Sequence, residues 1–460
     1  MSEYQLVVLG SGPAGQRAAI AAAKMGKHVA VVERNADVGG GCLHQGTIPS
    51  KTLREVVAYL SGIRQRQVYG AAYRVKEQIT ISDLTFRTQR VIENEVNIVR
   101  DQLIRNRVDV VAGTASFMDP HRILVATPDG QRIPQTQKTV IAVGTTPGRP
   151  PGIEFDDRRI IDSDGLLRLQ ELPRSMTFVG AGVVGLEYAT IFQVLGVQVT
   201  LVDGRRRPLD FVDDEIEDAL YYHMRDEGIT LRFGEKVSGV RPTDNDRVLV
   251  ELESGKTFTT DSLMFSAGRQ GASADLNLES IGIRPDARGR LKVDQYFRTE
   301  VEDVYAAGDV IGFPSLASTS MEQGRLAALH AFGVDAAPLP PNLPYGMYTI
   351  PEIAMTGPTE QHLTEQSVPY EVGIAPFLEL SRVQISGGGR SGILKLLFHR
   401  HNLKLLAVHI IGQNATELVH IGQTLIDHDG TVAYLRDAVF NYPTLAEAYK
   451  VAALNGLNRL

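Results

Sequence analysis

Two stretches of the chain repeat one order of hydrophobic and polar positions. The run Tyr4-Gln5-Leu6-Val7-Val8-Leu9 is short, apolar and rich in branched residues, which predicts a buried parallel strand. Gly10, Gly12 and Gly15 follow at once, then an alanine-rich helix to about Gly26. His28 to Val32 predicts a second strand, closed by Glu33. The order returns later. Met176 to Val179 reads as strand, Gly180, Gly182 and Gly185 as the turn, Leu186 to Leu195 as helix, and Val197 to Val202 as the next strand, with Asp203 at its end. Such glycines let a turn tighten and let backbone approach a pyrophosphate, which rests on the N–H groups of the helix start. The acid at the second strand's end accepts hydrogen bonds from ribose hydroxyls. A lone glycine pattern of this kind says little; two complete copies predict two dinucleotide sites.

Elsewhere the periodicity is plainer. Residues 60–110 read as a long amphipathic helix with Val91, Val96, Val99 and Leu103 at roughly helical spacing. Val140 to Pro147, around Gly144, looks like a strand leaving the first dinucleotide fold, and Ser266 to Arg269, around Gly268, like its counterpart leaving the second. Pro338 to Pro341 punctuates the chain as a linker. Beyond it, strand-like runs such as Gly392 to Phe398 and Leu405 to Ile411 mix with helices.

The chain's 460 residues exceed one core and predict about three domains. A hydrophobic content of 43% with 22% charged residues belongs to a globular protein. A formal net charge of -7 argues against a nucleic-acid partner. No apolar run is long enough to span a bilayer, and no leader-like segment precedes Leu6, so no membrane partner and a cytoplasmic location are expected. Cys42 is the only cysteine, which excludes an intramolecular disulfide and fits a reducing compartment. No cluster has metal-ligand spacing; the histidines, His399 and His401 among them, read as surface residues, and His44 as an ordinary polar one.

The stretch Gly39-Gly40-Gly41-Cys42-Leu43-His44-Gln45-Gly46-Thr47-Ile48-Pro49-Ser50-Lys51 resembles the redox segment of the FAD-dependent pyridine nucleotide-disulfide oxidoreductases. That segment carries two cysteines with four residues between them; here the second position is Thr47. Tyr305-Ala306-Ala307-Gly308-Asp309 resembles the family's second FAD motif, whose aspartate binds the ribitol chain, and the segments around Gly144 and Gly268 resemble its crossovers. The resemblance covers the whole chain. It implies an α/β fold with two Rossmann-like dinucleotide-binding domains, for FAD and NAD(P), plus a C-terminal α+β dimerisation domain. Residues 1–150 and 271–340 would form the FAD domain, 151–270 the NAD(P) domain, and 341–460 the interface domain. It further implies one non-covalent FAD per subunit and a homodimer or higher homo-oligomer.

The departures from the family shape the expected chemistry. A threonine hydroxyl has no accessible two-electron redox chemistry, so the thiol relay is cut at Thr47. Disulfide reductases carry His-Pro-Thr-x-x-Glu near the C-terminus, where the histidine serves thiol exchange. Here the segment is Asn441-Tyr442-Pro443-Thr444-Leu445-Ala446-Glu447, and a tyrosine pKa of about 10 suits that proton transfer poorly. Lys51 and Glu187 match the family's pair beside the flavin, and the helix after Ser315 to Thr319 matches the one whose N-terminus faces the ring. The resemblance therefore implies hydride exchange between NADPH and NAD+ through FAD, with NAD(H) and NADP(H) as substrates. Two alternatives stay open: electron delivery to oxygen or a quinone, and a non-catalytic redox sensor. Cys42 reads either as a thiol packed as a small hydrophobe or as a redox group.

The second site carries a mixed signal on cofactor choice. Asp203 favours a free ribose and would repel a 2′-phosphate. Arg205, Arg206 and Arg207 follow it after Gly204, and guanidinium forks suit phosphate. Both nucleotides are expected there.

Overall fold

The computed structural model describes residues 3–70, 72–387 and 392–460. Their contacts divide the chain into two compact units: residues 1–52, 85–149 and 267–340, and residues 53–84, 150–266 and 341–460.

The first unit is built on a sheet whose parallel centre runs Asp109–Ala112, Val29–Glu33, Glu3–Leu9 and Gln135–Ile141, with Val304–Ala306 paired to the last. Burial on both faces explains the unbroken apolar runs, and the two-residue period sorts them. Leu6 and Val8 pack with Ala14, Ala18 and Ala22 of the helix Pro13–Lys24 and with Val96, Val99 and Leu103. Val7 and Leu9 pack on the other side with Phe117, Ile123, Val125 and Leu276. Helix Ala317–Ala331 completes the first face with Ala327, Ala328 and Ala331.

The second unit holds two larger sheets. One is wholly parallel, ordered Thr230–Phe233, Gln198–Asp203, Ser175–Val179, Ser262–Phe265 and Ile160–Asp162. Met176, Phe178 and Leu201 enter one core, while Val202, Leu263 and Phe265 enter another with the antiparallel strands Val237–Pro242 and Val248–Leu252. The other sheet is antiparallel, ordered Tyr345–Met347, Glu352–Thr356, Leu405–Gly412, Ile393–His399 and Tyr370–Pro376, and is covered by helices Ala415–Asp427 and Glu447–Leu457. Both Rossmann-like sheets and the C-terminal α+β layer are therefore present.

Three sequence expectations are corrected. The long helix covers only Ile81–Arg105; between residues 60 and 80 there are a 3-10 turn, Ile63–Gln65, and one short helix, Arg66–Tyr69. Gly62 and Gly70 have φ of 65° and 94°, which ends helical propagation despite the continuing amphipathic pattern. The crossover after Ile141 is not one strand: Thr145–Pro147 turns back and pairs antiparallel with Arg269–Gly271. His409 is not a surface residue; it is 1% exposed.

Candidate functional site

Each fingerprint turn is closed by its outer glycines and left open at its middle one. In the first, a Cβ on Gly10 would lie 2.4 Å from the Ala142 carbonyl oxygen, and one on Gly15 would lie 1.9 Å from that of Gly10. A Cβ on Gly12 would meet nothing nearer than Gly40, at 3.9 Å. In the second, the Gly180 and Gly185 contacts are 2.6 Å to Ser266 and 1.9 Å to Gly180, and Gly182 faces open space. Gly12 and Gly182 cap their helices without a side-chain hydrogen bond. The first-turn N–H groups are thus left for an anion in the cradle that the middle glycine keeps clear. This fits a dinucleotide pyrophosphate at both turns.

Glu33 is buried at the end of its strand. Its Oε2 accepts Ser11 Oγ at 2.6 Å and Ser11 N–H at 3.0 Å, and its Oε1 accepts Asn35 N–H at 2.8 Å. Gly39 N–H donates to Ser11 Oγ at 2.9 Å, tying the glycine run before Cys42 to the same acid. A carboxylate has about four acceptor positions, so one on Oε1 remains for a ribose hydroxyl.

Cys42 lies on the short helix Gly40–His44, and Thr47 opens the helix Thr47–Leu60 that carries Lys51. The Thr47 hydroxyl lies near the Cys42 thiol. Burial pushes the thiol pKa up, Asp309 adds to the rise, and the Thr47 hydroxyl only partly opposes it. The thiol stays protonated at neutral pH, a poor nucleophile. His44 Nε2 pairs with the Val38 carbonyl at 3.0 Å, a structural contact.

Asp309 follows the strand Val304–Ala306. Burial raises its pKa, and Arg269 partly offsets this. Its partners are distant: Thr145 Oγ1 at 3.5 Å on Oδ2 and Ser320 Oγ at 3.5 Å on Oδ1. A half-buried carboxyl whose contacts among the described residues are both long has capacity for the hydroxyls of a polyol, which fits a ribityl chain. Arg269 is fixed beside it by Nε to Thr145 Oγ1 at 2.7 Å and Nη2 to Thr145 O at 2.8 Å. Gly144 and Gly268, at φ of 67° and 88°, turn the two strand exits into this hairpin. Arg269, Thr145 and Ser320 are site neighbours the sequence did not single out. The Ala-Gly-Arg run at 267–269 was the available signal.

In the second unit, Glu187 lies on the helix Val183–Val194 and is 4% exposed. Its Oε1 accepts Tyr348 N–H at 2.8 Å, and Thr190 Oγ1 one turn on accepts Ile350 N–H at 3.1 Å. The C-terminal layer therefore fixes the fingerprint helix at two points. Burial, then the Glu187 charge, push the Tyr345 hydroxyl pKa up to about 12, so that phenol keeps its proton.

Asp203 accepts Ala181 N–H at 2.7 Å, Arg205 N–H at 2.8 Å, and Arg205 Nε and Nη2 at 3.1 and 2.9 Å. The three arginines have different fates. Arg207 is drawn onto Glu217 at 2.8 Å, Asp218 at 2.9 Å and Asp214 at 3.2 Å, all on the helix Asp214–Asp226. Arg206 is exposed and makes no ion pair among the described residues. At the C-terminal motif, Tyr442 is 65% exposed and bonds Ser381 Oγ at 2.6 Å; it makes no bond to Glu447.

Against known families, residues 4–324 match the pyridine nucleotide-disulphide oxidoreductase model, and residues 343–453 match the dimerisation domain of the same family. The chain is 54% identical to the soluble pyridine nucleotide transhydrogenase of Mycobacterium tuberculosis (strain ATCC 25177 / H37Ra) over 464 residues, covering 100% of this chain and 98% of that one. With the protein of that name from Colwellia psychrerythraea the identity is 45%, covering 100% and 99%. Among solved structures, LpdA from Mycobacterium tuberculosis superposes with a TM-score of 0.90 at 27% identity, with 99% of each chain covered. The HOCl-induced flavoprotein disulfide reductase RclA from Escherichia coli gives 0.87 at 26%, covering 98% of this chain and 99% of that one. The matched models span nearly the whole chain and coincide with the two dinucleotide folds and the C-terminal layer: this chain belongs to the pyridine nucleotide-disulphide oxidoreductase family.

Proposed function

We propose that the chain is an FAD-dependent transhydrogenase that exchanges hydride equivalents between NADPH and NAD+. The observation that carries this reading is the Cys42–Thr47 pair: the family's scaffold is intact, but its thiol relay ends in a hydroxyl beside a protonated thiol. The names of the full-length relatives support it. Bound FAD supplies a ring that takes a hydride equivalent from one nicotinamide and returns it to another. The chain's own residues do the rest. Gly10, Gly12 and Gly15 cradle the FAD pyrophosphate, Glu33 takes its ribose, and Asp309, with Thr145, Ser320 and Arg269, takes its polyol. Gly180, Gly182 and Gly185 cradle the nicotinamide nucleotide, and Asp203, Arg205 and Arg206 face its adenosine end. Lys51 and Glu187 are the charged pair we assign to the reacting rings, with Glu187 held in place by Tyr348 N–H.

The reading also includes FAD-binding segments 1–150 and 271–340, a NAD(P)-binding segment 151–270, and an interface segment 341–460 that joins two copies. The dimerisation-domain match supports self-association. No helix among the described residues is long and apolar enough to cross a membrane; a cytoplasmic location belongs to the same proposal.

An anaerobic titration tests the function. NADPH should bleach the visible absorbance of the purified protein and NAD+ should restore it, in wild type and in Cys42→Ser alike. A folded, FAD-loaded Cys42→Ser protein that cannot complete the cycle would show that the thiol carries electrons. Rapid oxygen uptake with NADPH alone would favour an oxidase instead.

A kinetic consequence follows from the number of fingerprints. One serves FAD, so NADPH and NAD+ must take turns at the other. Initial-rate plots at several fixed NAD+ concentrations should be parallel while substrate inhibition is negligible. Intersecting lines would require a second nicotinamide site.

A further inference from the structure

The two acids that end the fingerprint strands differ in one respect. Glu33 receives three protein donors and keeps one acceptor position open. Asp203 receives four, two on each oxygen: Arg205 N–H and Nε on Oδ1, Ala181 N–H and Arg205 Nη2 on Oδ2. With about four acceptor positions per carboxylate, Asp203 is full. The two backbone donors belong to the turn itself and cannot leave. The two guanidinium donors can, because the Arg205 side chain is 53% exposed and water can solvate the fork once it turns away from the buried acid.

The two nucleotides make opposite demands on this acid. The adenosine ribose of NAD(H) offers hydroxyl donors, and Asp203 can accept them only if the Arg205 fork lets go. The 2′-phosphate of NADP(H) offers no such donor and is repelled by a bare carboxylate; there the fork cancels the charge of Asp203. Arg207 is already committed to Glu217, Asp218 and Asp214. The remaining cations lie on either side of the Gly204 turn. The Lys236 stem crosses Gly204, where a Cβ would meet its Cγ at 2.7 Å, and the Arg206 stem lies against Gly234, where the distance would be 3.4 Å. Both are exposed, and neither makes an ion pair among the described residues.

We infer that Arg205 sets nucleotide selectivity by occupying Asp203, so that it restrains NAD(H) binding, while Arg206 and Lys236 hold the 2′-phosphate of NADP(H). This rests on the reading that the second fingerprint takes nicotinamide nucleotides. It assigns Arg205 a role opposite to that of a phosphate anchor, and it brings in Lys236, which lies 33 positions beyond Asp203 and has no signal in the basic run.

Equilibrium binding of NAD+ and NADP+ to the oxidised, FAD-loaded protein tests it, because neither ligand turns over. Arg205→Ala should tighten NAD+ by about fivefold and should not tighten NADP+, which loses the fork's screening. The Arg206→Ala/Lys236→Ala double variant should weaken NADP+ by roughly tenfold and weaken NAD+ far less. A gain in NAD+ affinity is a result that damage to the fold does not produce. Retained flavin absorbance checks folding, and Arg205→Gln, which loses the charge but keeps much of the stem, should move NAD+ in the same direction. NAD+ binding that is unchanged or weaker in both Arg205 variants overturns the inference, and so does an unaltered NADP+ affinity in the double variant. Wild-type protein that binds neither nucleotide overturns the functional reading and this inference together.

Discussion

Gly324→Ala is expected to yield a protein that loses its flavin on purification and melts several degrees below wild type. Gly324 lies on the helix Ala317–Ala331, which packs against the fingerprint helix Pro13–Lys24. A Cβ there would stand 2.0 Å from the Ala14 carbonyl oxygen, 2.7 Å from its carbon and 2.9 Å from Ala14 Cα. All three atoms are backbone in the first turn of a helix, so no rotamer change relieves the overlap; the helices must part. Overpacking a core typically costs about 1–3 kcal/mol, and rigid neighbours place this site at the upper end. The displacement also reaches the flavin site. Gln323 Oε1 accepts Gly308 N–H at 2.9 Å, and Ser320 on the same helix faces Asp309. Moving the helix pulls the polyol acid away from the glycine cradle that Ala14 adjoins. The visible-to-ultraviolet absorbance ratio and a thermal melt measure both effects. Stoichiometric flavin and an unshifted melt would show that the two helices tolerate wider spacing.

How much of this was legible in the sequence follows from how local each feature is. Gly10, Gly12, Gly15 and Glu33 lie within one strand–turn–helix–strand unit, so their order along the chain is nearly their order in space. The same holds for Gly180 to Asp203. The Arg205–Arg207 run shows the limit of local reading. Three identical side chains in a row differ because the acids that capture Arg207 come from the next helix, while Asp203 captures Arg205. The periodicity of residues 60–110 extended a helix too far because apolar spacing does not register two glycines at positive φ. His409 and Lys395 were missed for another reason. Both sit within strands whose neighbours are buried on both faces, so a polar residue in an apolar run, as in Ile393-Leu394-Lys395-Leu396-Leu397, was the signal. Its partners lie far away in the chain. No pattern along the sequence joins Asp213, Glu360 and Lys395.

That buried cluster gives the other large expected effect: Lys395→Met should destabilise the protein strongly at pH 8 and much less at pH 5.5. The Lys395 side chain is 1% exposed, and its ammonium reaches Asp213 Oδ1 at 2.9 Å, Glu215 Oε2 at 3.0 Å and Glu360 Oε2 at 2.5 Å. These three carboxylates are grouped as a divalent cation would require, and the lysine fills that place. Asp213 also caps the helix Asp214–Asp226 and accepts Glu360 N–H at 3.1 Å, so the cluster joins two layers of the second unit. Burial works against both charges. For Lys395 the Glu360 and Asp213 contacts outweigh it, and the amine pKa rises. For Asp213, His409, which is charged only at the acid pH where the aspartate titrates, and then Lys395 outweigh it, and the acid's pKa falls. Burial lowers the His409 pKa, so that ring is neutral at neutral pH and Lys395 is the charge that matters. The signs then fix the pH window. A raised lysine pKa gives stability that is complete below about pH 10 and is lost above it. A lowered aspartate pKa gives stability that is present above about pH 4 and is lost as the pH falls. Between those limits the lysine and aspartate contributions are constant, while the buried neutral His409 adds stability that falls away as the pH drops below about 6.5. Methionine keeps most of the volume but leaves Asp213 charged, fully buried and without its cation, a change that typically costs about 3–5 kcal/mol. The lower end is expected here, because Glu215 and Glu360 reach solvent. In the variant, protonating Asp213 relieves the burial cost, so the deficit relative to wild type should shrink as pH falls. Thermal melts of both proteins at the two pH values measure it, and taking the difference removes the effect of overall charge. A deficit of the same size at both values would place the loss in packing, not in the uncompensated acids.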